Sequence, residues 1–148
     1  ASDAKCVQIL RGHGNAVLSA EFSADALSVL TASSDKTAKL WNANDGVCIQ
    51  TFCGHGGRVV SAMLSADESF VVTASLDKTA RIWNRSDGDC IRTLHGHGNV
   101  LHSARFSGDG KLVLTSSSDD TARIWNVSNG ECVKSLTGHE RSVFCAVF

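Results

Sequence analysis

The sequence contains neither proline nor tyrosine. Without proline, its turns must be built from Gly, Asp, Asn and Ser, and no proline-rich linker marks a domain boundary. No apolar stretch approaches the ~20 residues that span a bilayer. The first five residues, Ala1–Lys5, have no apolar core of the kind found in signal peptides. The absence of an initiator Met fits processing, an engineered sequence or an excised fragment equally well.

The charges are nearly balanced, with 14 Lys and Arg against 15 Asp and Glu and a net charge of −1. A chain without a basic excess is not expected to bind nucleic acid. Hydrophobic residues make up 43% of the 148 residues, as in ordinary globular proteins. The length predicts one domain or one section of a repeat array.

A repeat with a period of 42 residues runs along the chain, marked first by Trp41, Trp83 and Trp125. Other residues keep the same spacing: Cys6, Cys48, Cys90, Cys132, Gly12-His13, Gly54-His55, Gly96-His97 and Gly138-His139. Dividing the chain before each of these cysteines gives units 6–47, 48–89 and 90–131, then a truncated unit 132–148, after a short tail at 1–5. The first two units are identical at 23 of 42 positions without a gap, which excludes chance.

Each unit is predicted to form four short β-strands, because runs rich in Val, Ile, Thr and Phe alternate with turns every 8–12 residues. Segments such as Phe70–Ala74 carry apolar or small residues at both odd and even positions, so these strands are expected to be covered on both faces. No helical pattern is present to cover them. Sheets stacked face to face around an axis form a β-propeller, and we expect three complete four-stranded antiparallel blades plus flanking strands.

The repeat resembles the WD40 family from about Cys6 to Phe148. Gly12-His13 and the stretch from Leu30 to Asn42 (Leu-Thr-Ala-Ser-Ser-Asp-Lys-Thr-Ala-Lys-Leu-Trp-Asn) match its Gly-His and Trp-Asp signature. Two departures are regular. Trp-Asp has become Trp-Asn at Asn42, Asn84 and Asn126, and the family's proline before Asp-Gly is replaced at Ala24, Ala66 and Gly108. Neither change removes a core group.

The resemblance implies a buried hydrogen-bonded tetrad of His, Ser or Thr, Asp and Trp in every blade. By position, the matching residues are His13, Ser33, Asp35 and Trp41, then His55, Ser75, Asp77 and Trp83, then His97, Ser117, Asp119 and Trp125. An indole N–H needs an acceptor, and a hydroxyl and a neutral imidazole can each both accept and donate. We interpret the three equivalent sets as structural rather than catalytic, because a serine nucleophile needs an accessible hydroxyl and an oxyanion pocket.

Cysteines and histidines do not predict a metal site or a cofactor. No Cys-x-x-Cys pair is present, and the cysteines at the repeated position fall in successive blades, too far apart for disulfides. They are expected to be small buried hydrophobes. Free thiols favour a reducing compartment, hence an intracellular and cytoplasmic location.

A partner-binding face follows from the resemblance, because WD40 proteins bind partners through three positions per blade near one end. The matching residues are Ala16, Leu18, Ser34, Arg58, Val60, Leu76, Val100, His102, Ser118, Ser142 and Phe144. This mostly apolar set favours a protein partner. The alternative is that Leu18, Val60 and Val100 are simply partly buried near the mouth of the central channel.

The function predicted is a non-enzymatic interaction scaffold. A propeller enzyme would need converging acids, His or metal ligands on the innermost strands, where the sequence places Glu21, Met63, Arg105 and Val147. With a leading strand at 6–10 and a trailing strand at 142–148, the prediction is fourteen strands. Known propellers close with about four to eight blades. We therefore expect the remaining blades to come from a longer chain or from a second copy, in a homodimer or an engineered assembly.

Overall fold

The computed structural model describes residues 5–148, so all but Lys5 of the expected N-terminal tail lies outside the described residues. These residues form twelve β-strands. In chain order they are β1 (Val17–Phe22), β2 (Ser28–Ser33), β3 (Thr37–Asn42), β4 (Cys48–Cys53), β5 (Val59–Leu64), β6 (Phe70–Ser75), β7 (Ala80–Asn84), β8 (Cys90–Leu94), β9 (Leu101–Phe106), β10 (Leu112–Ser117), β11 (Ala122–Asn126) and β12 (Cys132–Leu136).

The strands form three antiparallel four-stranded sheets, each a meander of consecutive strands. We name them blade 1 (β1–β4), blade 2 (β5–β8) and blade 3 (β9–β12). The fourth strand of each blade begins at the repeated Cys48, Cys90 or Cys132. It is therefore formed by the first residues of the following sequence unit. The all-β prediction of three complete blades is confirmed, and no helix occurs within residues 5–148.

The blades have two edges, which carry different turns. We call the edge with the β2–β3, β6–β7 and β10–β11 turns the top edge, and the opposite edge the bottom edge. Each of these top turns contains a residue with positive φ, Lys36, Lys78 or Asp120 (φ 65–72°). A left-handed residue allows the tight reversal, and it lies directly after the tetrad aspartate of its unit.

The core consists of the two interfaces between blades. Leu30, Leu40 and Phe52 of blade 1 pack against Val71 and Trp83 of blade 2. At the next interface, the equivalent side chains of blade 2 pack against blade 3. Their burial explains why the middle strands lack a polar face, since sheets cover both of their sides.

The outer faces of blades 1 and 3 are open. Val17 is 51% exposed, whereas its equivalents Val59 and Leu101 are fully buried. At the other end Leu136 is 37% exposed, whereas its equivalent Leu94 is 1% exposed. The stack within residues 5–148 therefore does not close on itself.

Two flanking strands and the buried cysteines were predicted wrongly. Residues 6–10 and 142–148 have no strand structure, because no other strand within residues 5–148 forms a sheet with them. All six cysteines are exposed with free thiols. Cys48, Cys90 and Cys132 each begin the outermost strand of a blade, which has an unpaired edge. Within residues 5–148, no helix is long and apolar enough to cross a membrane.

Candidate functional site: the blade network and the top edge

A chain of hydrogen bonds crosses each blade, and blade 2 shows it clearly. The Nε1–H group of Trp83 donates to Thr73 Oγ1 at 2.8 Å. Thr73 Oγ1 lies 2.7 Å from His55 Nε2, and His55 Nδ1 lies 2.7 Å from Asp77 Oδ2. Because indole can only donate and an ionised carboxylate can only accept, a neutral His55 fixes the direction of the chain. The Thr73 hydroxyl donates to Nε2 of a neutral His55, which donates from Nδ1 to Asp77.

The pKa values of the network residues fit these protonation states. Burial lowers the pKa of His55 below its usual range, against the opposing effect of Asp77, and thus favours the neutral ring. Burial alone would raise the pKa of Asp77, but hydrogen bonds from Thr79 and His55 outweigh it and hold the value at about 2. An anionic acceptor and a neutral imidazole are the forms that complete the chain.

The same chain recurs in the other two blades. In blade 1 it joins Trp41, Thr31, His13 and Asp35, at distances of 2.7–2.8 Å. In blade 3 it joins Trp125, Thr115, His97 and Asp119, at the same range of distances. The predicted His, Asp and Trp residues of every blade are thus brought together.

The hydroxyl predicted for this network is the wrong one. Threonine stands between His and Trp in each blade, two residues before the predicted Ser33, Ser75 or Ser117. Residues two apart on a strand face the same side of a sheet, so the repeat pattern alone could not separate them. The serines end their strands instead, where the Ser75 hydroxyl accepts the backbone N–H of Asp77 at 3.1 Å and so shapes the top turn.

Gly54 is required immediately before His55 by its backbone and by its neighbours. Its φ of +147° disfavours a side chain. A Cβ there would also lie 2.7 Å from Arg81 Nη1 and 3.3 Å from the ring of Trp83. The Gly-His dipeptide thus lets the loop approach the tryptophan closely enough for the imidazole to reach Thr73.

The network resembles a catalytic triad in its order of Asp, His and hydroxyl, but its hydroxyl is inaccessible. Thr73 is 0% exposed and accepts the indole N–H, so no substrate atom can approach Oγ1. At the positions considered for a channel site, Glu21 is exposed, while Met63 is half-buried and packs against the core between blades 2 and 3. Among residues 5–148, no three His, Cys, Asp or Glu side chains are grouped to hold a metal ion.

The network fixes the top edge, where the predicted partner-binding residues lie. Asp77 joins the loop before β5 to the β6–β7 turn, since its Oδ2 also accepts the backbone N–H of Gly56 at 2.9 Å. Above it, the backbone N–H of Leu76 donates to the carbonyl of Arg58 at 2.9 Å. Ser34 bonds to Ala16, and Ser118 to Val100, in the same way. Two of the three predicted positions in each blade are therefore direct neighbours.

The predicted face differs in exposure from residue to residue. Ala16, Arg58, Leu18 and Phe144 are exposed. The half-buried members are Ser34, Val60, Leu76, Val100, His102, Ser118 and Ser142. Val60 also packs against the core between blades 2 and 3, so part of this set serves the fold.

Blade 3 adds a cluster that the sequence did not predict. His102 Nε2 lies 2.6 Å from Ser118 Oγ, and its ring lies 4.6 Å from the ring of Phe144. The cluster thus joins β9, the β10–β11 turn and the C-terminal segment at the top edge.

Stacked four-stranded sheets, with a Trp–Thr–His–Asp chain in each, define a protein built of β-propeller blades. The family model described as "WD domain, G-beta repeat" matches residues 4–42, 46–84 and 88–126. The chain belongs to the WD40 repeat family. It is also 54% identical over 37 residues to the vegetative incompatibility protein HET-E-1 of Podospora anserina, a match that covers 25% of this chain and 3% of that protein. WD40 repeats generally serve as protein-interaction scaffolds and are typically not enzymes.

Proposed function

We propose that this chain is a scaffold that binds a protein partner at the top edge of its blades. The observation that carries the proposal is the pairing of face positions above each network, such as Arg58 with Leu76. A surface held rigid before binding loses little conformational entropy when a partner docks. Leu18 and Phe144, which are 45% and 69% exposed, supply apolar contact area.

We expect the double substitution Leu18→Asp and Leu76→Asp to weaken partner binding about tenfold or more, because it places carboxylates in an apolar contact. The probe is a set of 12-residue peptides selected from a random library on the wild-type chain, measured by fluorescence anisotropy.

The matched control is Leu27→Asp, since Leu27 is 56% exposed at the bottom edge. It should leave the affinity unchanged. Selected peptides that bind the double variant as tightly as the wild-type chain would place the partner site elsewhere and overturn the proposal.

We further propose that the open faces of blades 1 and 3 are completed by additional WD40 blades, from a longer chain or from a second copy. The two terminal segments support this. The Gln8 side chain contacts Gly46 as Gln50 contacts Gly88, so residues 6–10 lie where the outer strand of a preceding blade would lie. Val143 bonds to the carbonyl of Ser117 at 3.0 Å and is buried over blade 3, in the place of a following inner strand.

The isolated 148-residue chain is expected to self-associate or aggregate, because its end faces expose apolar side chains. Phe22→Asp should reduce this association, since Phe22 is 63% exposed on the outer face of blade 1. Light scattering measures both, with Leu18→Asp at the top edge as the control. A soluble, cooperatively unfolding wild-type monomer would contradict the proposal.

The exposed thiols support a reducing compartment as part of this proposal. All six cysteines are free and exposed, and such thiols cross-link in oxidising surroundings. An intracellular scaffold accounts for their number and accessibility.

A further inference from the structure

The bottom edge carries a groove at each junction between blades. The first junction joins blades 1 and 2, and its groove of about 600 Å³ includes Leu40, Ile49 and Arg85. The second junction joins blades 2 and 3, and its groove of about 460 Å³ includes the equivalent Ile82, Ile91 and Val127. Because the repeat places equivalent positions at both grooves, the residues of the two grooves can be compared position by position.

A polar clamp spans the first junction. Arg85 Nη1 lies 2.7 Å from Glu68 Oε2, and Glu68 Oε1 accepts the backbone N–H of Ala24 at 3.0 Å. Arg85 Nη2 also lies 3.4 Å from Ser28 Oγ. The carboxylate and the guanidinium thus satisfy each other and tie the two blades together.

The second junction lacks all three polar side chains of this clamp. Gly110 stands in place of Glu68, Val127 in place of Arg85, and Phe70 in place of Ser28. Apart from Gly110 and its two chain neighbours, no atom lies within 4 Å of the point where a Cβ on Gly110 would stand. Phe70 and Val127 are only half-buried, although both pack against the core. The result is an apolar recess that the neighbouring side chains do not fill.

At two positions the second junction carries a cation where the first junction has a neutral residue. Arg92 replaces Gln50 and Lys111 replaces Ser69. The Arg92 guanidinium donates to the carbonyls of Ile91 and Ser128 at 2.7 and 2.8 Å. These bonds fix its position without neutralising its charge. The nearby Asp109 carboxylate accepts bonds from Ser107 Oγ and the backbone N–H of Lys111, within its own turn.

We propose that the second-junction groove is a docking site for an acidic peptide segment of a partner protein. A bulky apolar side chain of the peptide enters the recess between Phe70, Ile82 and Val127. Carboxylates on either side of it meet Arg92 and Lys111. Charge complementarity selects this occupant, because a groove that combines an apolar recess with two cations matches an apolar residue flanked by acids. The site lies at the opposite edge from the proposed top-edge face and is separate from it.

The probe is a fluorescein-labelled peptide with two adjacent leucines flanked on each side by two glutamates, titrated with the full chain at low salt. Two variants restore the first-junction residues. Gly110→Glu with Val127→Arg installs the clamp and fills the recess, and a side chain is tolerated there because Glu68 carries one at φ 56°. Arg92→Gln with Lys111→Ser removes the cations. Each pair of substitutions should weaken peptide binding about tenfold or more. The clamp variant should also melt at or above the melting temperature of the wild-type chain.

Binding that survives in the clamp variant overturns the proposal, as does a peptide with glutamine in place of glutamate that binds equally well. Failure of the peptide to bind the wild-type chain overturns it too. Competition by octanoate as strong as that of unlabelled peptide would make the groove a site for small acids instead. The top-edge variant Leu18→Asp/Leu76→Asp should bind this peptide normally, so the outcomes for the two sites are separable.

Discussion

Replacing Trp83 by alanine is expected to lower the free energy of unfolding by about 3–5 kcal/mol. Trp83 is 1% exposed and packs between blades 1 and 2, with Phe52 at a ring distance of 6.0 Å. The substitution leaves a large cavity and removes the indole donor of the network. A loss of this size is comparable to the whole stability of many domains.

Chemical denaturation of the wild-type chain and the variant at the same protein concentration measures this loss, since self-association contributes equally to both. Trp83→Phe is the matched control, because it keeps most of the apolar volume and removes the N–H group, and it should cost clearly less. An alanine variant that unfolds at nearly the wild-type denaturant concentration would contradict the structural role of Trp83.

Thr73→Val is expected to cost about 2–6 kcal/mol, although it keeps nearly the same size and shape. Its hydroxyl receives the indole N–H of Trp83 and donates to His55. Without it, two buried polar groups lack a partner, and each unsatisfied group costs about 1–3 kcal/mol.

Ser75→Ala is the comparison that separates the two candidate hydroxyls. Ser75 is equally buried, but the Asp77 N–H bond it accepts shapes a turn rather than the His–Trp link. We expect this variant to lose about 1 kcal/mol. If Ser75→Ala were the more damaging of the two, the role assigned to Thr73 would be wrong.

The fold could be predicted from the sequence because its signals repeat. A spacing of 42 residues and strands apolar at both odd and even positions are properties of single units, and stacking follows from them. The terminal strands were predicted wrongly because their formation depends on neighbouring strands that lie outside the repeat unit. Residues 6–10 have a strand-like composition but no partner strands, and a β-strand is stabilised by its neighbours.

The residue types of the network could be predicted from the sequence, but the hydroxyl that takes part in it could not. The types of residue follow from donors and acceptors, yet Thr73 and Ser75 lie on one side of the same strand. Only the distance to the indole separates them. The bottom-edge groove was missed because its signal is a difference between repeats, Gly110 and Val127 in place of Glu68 and Arg85. Residues that the repeats share do not reveal such a difference.

The fourth strand of each blade comes from the following sequence unit, and this order affects how the chain folds during its synthesis. A ribosome releases the first three strands of a blade before the strand that completes it, because that strand opens the next repeat unit. The third strand of each nascent sheet therefore has unpaired backbone N–H and C=O groups until the fourth strand emerges, beginning at Cys48, Cys90 or Cys132. Completion of each sheet marks the arrival of the next unit, which gives assembly from the N-terminus a fixed order.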